Sequence, residues 1–238
     1  MKTAITLAFK ELRDYFASPI AYVFISVFLC LSFWLFFSGV FLVGETSLRG
    51  FFGWLPLLFI ILLPSITMGM WAEEKKSGTI ELLLTLPART GEIIIGKYLA
   101  TVIFLTLVLL LTLPLVFIME GLGDLDSGVV MGAYLGTFFL ALSYLALGLF
   151  ISSITKNQIV AFIITVLVLF LFYVIAEPLV TSYVPQALIP VLQFMSFNQH
   201  FAALSRGVVD TRDILFFMSA IFLFLYLNAV TLSLRKVA

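Results

Sequence analysis

Long apolar runs alternate with short charged stretches from one end of the chain to the other. A membrane-crossing helix needs about 20 predominantly apolar residues. The pattern predicts six such spans, at about 19–44, 51–72, 93–119, 127–155, 157–177 and 213–234. The runs are continuously apolar, whereas a membrane barrel would show alternating segments of about ten residues, so helices are expected. Ahead of the first run, residues 1–17 place Ile5, Ala8, Phe9, Leu12 and Phe16 on one helical face, with Lys2, Thr6, Lys10, Arg13 and Asp14 on others. That amphipathic helix is too short and too charged to span and is expected to lie in the membrane interface. Residues 178–205 carry no charge, but Pro178, Pro185 and Pro190 interrupt them, and Ser182, Gln186, Gln193, Asn198, Gln199 and His200 make them polar. Two half-helices re-entering from the outer side are expected there, with a seventh span as the alternative.

Composition agrees with the pattern. The 238 residues are 63% apolar and 11% charged, with 26 Phe and no net charge. Soluble domains carry roughly 25% charged residues, so a multi-pass protein of the cell membrane is expected, its lipid bilayer a partner and nucleic acid not. The one cysteine, Cys30, lies in an apolar run and can form no disulfide within the chain. Basic residues set orientation. Six spans put Lys2, Lys10, Arg13, Lys75, Lys76, Arg89, Lys97, Lys156, Arg235 and Lys236 on one side, against Arg49, Arg206 and Arg212. Both termini and the stretch 73–97 are therefore expected in the cytoplasm. A seven-span layout gives the same ratio, so charge does not choose between them.

The stretch 73–97, EEKKSGTIELLLTLPARTGEIIIGK, holds eight charged residues in twenty-five positions. Ser77 or Gly78 can cap a short helix with Glu81 in its first turn; Ile80, Leu83 and Leu84 share a face, and Pro87 stops it. Thr90 can cap the third span, with Glu92 in its first turn. The pattern alone does not choose between a solvated interfacial loop and a helix lying across the membrane surface to meet a partner. GEIIIGKY at 91–98 has the glycine and lysine spacing of a phosphate-binding loop, but Tyr98 stands where Ser or Thr should hold magnesium and no strand precedes it. The chain is not expected to bind ATP, any other cofactor or a metal.

Other positions have two readings each. Gly128, Gly132 and Gly136 form a small-residue stripe that suits close helix packing, inside the protomer or at a dimer seam. Pro56, Pro64 and Pro114 should bend the second and third spans, whether for motion or as packing irregularities. Glu177, followed by Pro178, ends the fifth span; with His200 it could gate the outer exit, or it could sit at the headgroups. A lone His is more often a hydrogen-bonded packing residue than a ligand.

EEKKSGTIELLL at 73–84, followed by Pro87 and the pair Gly96-Lys97, resembles the signature of ABC-2 type transport permeases. KEL at 10–12, SPIAY at 18–22 and the segment from QHF at 199–201 through Arg206-Gly207 to Asp213 resemble gliding-motility-associated and nitrous-oxide-reductase-maturation permeases. The resemblance implies a single all-α polytopic membrane domain over 1–238, with an interfacial N-terminal helix, six spans, and re-entrant outer half-helices before the sixth. It implies a cytoplasmic coupling helix at about 73–91, seated on a separate ABC ATPase subunit that carries ATP and Mg. Glu73, Glu74, Ser77, Gly78, Thr79, Glu81 and Leu84 are then the expected contacts. A second permease copy or a related permease, and an accessory membrane subunit, are the other implied partners. The expected function is the permease of an ATP-driven exporter, not itself an enzyme. A structural membrane anchor and a polytopic lipid-modifying enzyme are the alternatives. The few polar faces of the spans suggest an apolar or lipid-linked cargo.

Overall fold

The computed structural model describes residues 2–43, 48–81, 89–122 and 125–237. In chain order the helices are α1 (Lys2–Ala17), α2 (Pro19–Val43), α3 (Arg49–Thr67), α4 (Gly69–Ser77), α5 (Thr90–Leu110) and α6 (Leu113–Glu120). They continue with α7 (Ser127–Ile154), α8 (Gln158–Val174), α9 (Pro178–Thr181), α10 (Ile189–Met195), α11 (Phe197–Ser205) and α12 (Thr211–Val237). No strand occurs among the described residues. Helical backbone resumes at 79–81, beyond which 82–88, with Leu84 and Pro87, lie outside the described residues.

Five helical stretches are long and apolar enough to cross a membrane: Pro19–Val40, Arg49–Ser77, Thr90–Glu120, Ser127–Ile154 and Thr211–Leu234. Helix α8 is apolar but has 17 residues. At 1.5 Å per residue it is about 25 Å long, at the lower limit for a crossing helix. It meets the bundle along one narrow stripe, Ala161, Thr165 and Leu169. Between 178 and 205 the longest helix, α11, has nine residues, or about 14 Å, roughly half the hydrocarbon thickness.

Helix α7 is the centre of the bundle, with α3, α4, α5, α8, α11 and α12 packed around it. Its sequence explains this position. Gly132, Ala133, Gly136, Ala141, Ser143, Ala146, Gly148 and Ser152 are all buried, and small side chains let neighbouring backbones approach closely in lipid. A methyl group at Gly148 would lie 2.2 Å from Thr67 Oγ1 of α3. One at Gly136 would lie 2.7 Å from Leu204 Cβ, and one at Gly132 would lie 2.9 Å from Gly207 Cα. Gly132 and Gly136 thus seat α11 and the turn after it, within one protomer. Gly128 is different: its nearest neighbour is Asp126 Oδ1, at 3.2 Å, the side chain that caps α7 by accepting from the amides of Gly128 and Val129. Because Gly132 faces backbone, Gly132→Ala is expected to cost about 1–2 kcal/mol by overpacking. Unfolding of the full chain in micelles checks this, with Gly128→Ala as the near-neutral control.

The prolines act differently from one another. Helix α3 runs through Pro56 and Pro64 and breaks one turn later, at Met68. At Pro114 the third apolar run breaks into α5 and α6. There the Thr112 hydroxyl donates to the Leu109 carbonyl at 2.6 Å and pairs with the Tyr134 hydroxyl at 2.9 Å. Polar groups freed by a helix break in lipid must find such partners.

Helix α1 packs along the first turns of α5. Ala4 and Ala8 are buried, while Ile5 and Phe9 are exposed. The apolar stripe expected from the sequence is therefore split. Leu12 and Phe16 pack against the bundle, Phe16 with its ring 5.9 Å from that of Phe104, and Ile5 and Phe9 are left for the membrane interface.

Candidate functional site

At the charged end of the bundle α1, α4 and the start of α5 converge on Lys97, and the end of α7 meets α4 beside them. Two sequence features bring them together. Gly96 has no side chain to hold α1 away: a methyl group there would lie 2.9 Å from the Ala4 carbonyl oxygen and 3.0 Å from Leu7 Cβ. On α1 itself, Ala4, Ala8, Glu11 and Tyr15 follow an i, i+4, i+7, i+11 stripe, so that Glu11 points the same way as the buried alanines.

Lys97 is 1% exposed, and its Nζ lies 2.7 Å from Glu11 Oε1 and 2.7 Å from Glu74 Oε1. The ammonium also sits 5.2 Å from the ring centroid of Trp71, within cation–π range. A buried ammonium is tolerated when its hydrogen-bonding capacity is met by opposite charge. This triad therefore ties three elements together: α1 through Glu11, α4 through Glu74, and α5 through Lys97. Tyr15 brings in a fourth element by donating its hydroxyl to the Ile66 carbonyl of α3 at 3.2 Å. Burial, and secondarily the Glu11 charge, push the Tyr15 phenol well above its usual range, so it stays a neutral donor. Thr3 donates to Glu92 at 2.8 Å, a second bond between α1 and the first turn of α5. Thr90 is the first residue of α5, and Arg89, in extended conformation, holds the cap position; the expected cap at Thr90 is displaced by one residue.

A second set of contacts fixes α4 to α7. The break between α3 and α4 leaves backbone groups exposed, and Ser152 satisfies them. Its hydroxyl donates to the Met68 carbonyl at 2.9 Å and accepts from the amides of Trp71 and Ala72 at 3.1 and 3.2 Å. Lys75 then reaches the end of α7, where its Nζ donates to the Ser153 carbonyl and, at 3.0 Å, to that of Thr155. A cation on the last carbonyls of a helix suits both their free lone pairs and the helix dipole.

The residues expected to contact an ATPase divide into two groups. Glu74 is turned inward onto Lys97, whereas Glu73, Ser77, Gly78, Thr79 and Glu81 are exposed, together with Lys76. Gly78 ends α4 at φ +75°, a left-handed conformation that favours glycine. Around the joint lies a polar cavity of about 450 Å³, bounded by Lys10, Glu11, Asp14, Glu73, Glu74 and Gln158 among others. The joint's full membership was not expected from sequence. One signal existed: Lys97 stands several residues inside an apolar run, and an ionisable group in such a place needs a partner.

At the other end of α7, Glu177 accepts from Asn198 Nδ2 at 2.9 Å, and Pro178 opens the short helix α9. His200 pairs with Asp213 instead, so the expected outer group forms two separate contacts that both hold α11. Between α5, α6 and α7 lies an apolar groove of about 540 Å³, lined by Leu110, Leu113, Val130, Met131 and Phe138, with Glu120 and Tyr134 also bordering it.

Comparison with curated proteins finds no match. The sequence model of a family described as ABC-2 family transporter protein does match, over residues 55–235. That range takes in α4, Lys75, Lys97, all of α7 and the outer segment. With its apolar crossing helices, this multi-pass membrane chain belongs to the ABC-2 transporter family, whose permeases work with an ABC ATPase subunit.

Proposed function

We propose that this chain is the transmembrane permease subunit of an ATP-driven exporter, and that the ATPase subunit docks on the exposed end of α4 together with the residues that follow it, from Glu73 to Leu84. The observation that carries this reading is the buried Glu11–Lys97–Glu74 triad. It makes α4 a rigid continuation of the bundle, so force applied at its exposed end reaches α1, α5 and α7 together. Glu73, Ser77, Gly78, Thr79 and Glu81, with Leu84, form the contact surface. Glu74 transmits instead of touching the partner. ATP and Mg stay on the ATPase. In this reading α8 is the fifth of six spans, 178–205 re-enters from the outer side, and both termini and α4 face the cytoplasm across the cell membrane. A second permease copy or a related permease completes the membrane unit. The apolar groove beside α7 agrees with an apolar or lipid-linked cargo.

Complementary charge at an interface fixes register, and removing one partner of a close pair costs about 2 kcal/mol or more. Glu81→Arg is therefore expected to weaken ATPase binding by more than about tenfold. Gly78→Pro should act similarly, since proline locks φ near −65° where the chain has +75°. Titrating the partner ABC ATPase subunit onto the permease in nanodiscs measures both. Wild-type affinity in both variants would remove the stretch from Glu73 to Leu84 as the docking element.

A further inference from the structure

We infer that His200 and Asp213 form a proton-binding site that latches α10 and α11 to the first turn of α12. This site lies at the opposite end of α7 from the Lys97 joint, and it stands whether or not α4 docks an ATPase.

The hydrogen-bond geometry requires the extra proton. His200 Nε2 lies 3.0 Å from the Phe194 carbonyl oxygen. His200 Nδ1 lies 2.6 Å from Asp213 Oδ1. A carbonyl oxygen can only accept, so Nε2 must carry hydrogen. An ionised carboxylate can also only accept, so a second hydrogen must lie between Nδ1 and Oδ1. A neutral imidazole has one N–H. To make both contacts, the pair must take one proton from bulk water onto the imidazole lone pair, forming an imidazolium–carboxylate pair. Without that proton one contact sets lone pair against lone pair and must open. Complete at low pH, the latch loses a bond as pH rises through the proton's release.

The surroundings hold the ring where both bonds form. The His200 ring stacks on Phe216 at 3.9 Å between centroids, and both side chains of the pair are 12% exposed. Phe194 belongs to α10 and Asp213 to α12, so the two bonds connect three helices. Asp213 is the charged group bonded to the ring. Of the other helices against α11, α7 carries Tyr134 and Tyr144 behind its Asp126 cap, α8 carries Tyr173 and leads to Glu177, and α3 begins with Arg49. Glu177 is taken up by Asn198. Arg206, Asp210 and Arg212 lie between His200 and Asp213 in sequence. The Asp210 carboxylate accepts from the Arg212 amide. Histidine is the side chain whose charge ordinarily changes between pH 5 and 8, which makes this latch responsive to the medium on its side of the membrane.

His200 is the chain's only histidine, so ¹⁵N-histidine labelling of the full chain in nanodiscs reports on this imidazole alone. With both nitrogens protonated at low pH, titration upward is expected to strip one proton. Amide protection over 189–205, measured as exchange relative to the intrinsic rate at each pH, should fall severalfold across the same pH interval. In Asp213→Asn the amide can donate to Nδ1 of a neutral imidazole, so both contacts hold without the extra proton and the exchange step should vanish. In His200→Gln the exchange step should vanish. The inference is overturned if protection over 189–205 stays flat through the imidazole transition, or if His200→Gln keeps the step. It is also overturned if Asp213→Asn keeps the step. Should Asp213→Asn fail to fold, the wild-type correlation alone decides.

Discussion

Lys97→Met should destabilise the full chain by about 3–5 kcal/mol, the usual cost of removing one partner from a buried ion pair. Methionine matches lysine closely in length and shape, so packing against Trp71 is largely kept and the loss reports the charge. In the wild type the ammonium bridges Glu11 and Glu74 at 2.7 Å each, and those side chains are 15% and 19% exposed. Without the ammonium, two carboxylates would face each other with little water to separate them. They can relax only by protonation or by moving α1 away from α5. Thermal unfolding in micelles measures the loss, and proteolysis ahead of Ser18 would show whether α1 has lifted. Adding Glu11→Gln and Glu74→Gln to the same chain is expected to restore most of the stability, because replacing all charged members of a buried group is often neutral. A Lys97→Met chain that unfolds with the wild type would show that the triad does not hold the joint together.

Gly148→Ala should cost about 3 kcal/mol, the upper part of the ordinary range for overpacking. The new methyl would lie 2.2 Å from Thr67 Oγ1 and 3.0 Å from Thr67 Cβ. Thr67 is 1% exposed, so its side chain has no open space into which to turn. The strain therefore falls on the seam between α3 and α7, directly before the break at Met68 and one turn before Ser152, which satisfies it. Thr67→Ala removes the nearest atom, and the double variant should recover more than half of the loss. An equal loss in single and double variants would place the strain elsewhere. The expected coupling between these sites is large because they touch directly.

These two experiments bear on features of different legibility. Apolar run length is a property of a segment by itself, and α2, α7 and α12 each lie over one apolar run, whereas α3 stops at Thr67, inside the second. The proline interruptions of 178–205 likewise anticipated helices too short to cross. Glu74 was legible as charged and conspicuous but not as inward-facing. Its neighbours Glu73 and Lys75 look alike in sequence, yet one is exposed and the other reaches the end of α7. The helical position of each decides, and that depends on where α3 breaks. The resemblance to ABC-2 permeases covered the stretch 73–97 and included Gly96-Lys97, but a motif does not state why its residues are adjacent. Here glycine admits α1, and lysine then receives Glu11.

By itself the sequence determined that this chain is helical, that it crosses the membrane several times, and that 73–97 is its wettest stretch. Those conclusions follow from the cost of placing unpaired polar groups in lipid, which each segment meets on its own. Only the tertiary structure decided which charges are partners. Lys97 and Glu11 are 86 residues apart in the chain and 2.7 Å apart in space; Lys75 and the Thr155 carbonyl are 80 residues apart and 3.0 Å apart in space. His200 and Asp213, 13 residues apart, flank a turn whose direction is set by Gly207 against α7. Such pairings arise when small residues let helices approach, and approach distance is a property of two surfaces together, which no single segment contains.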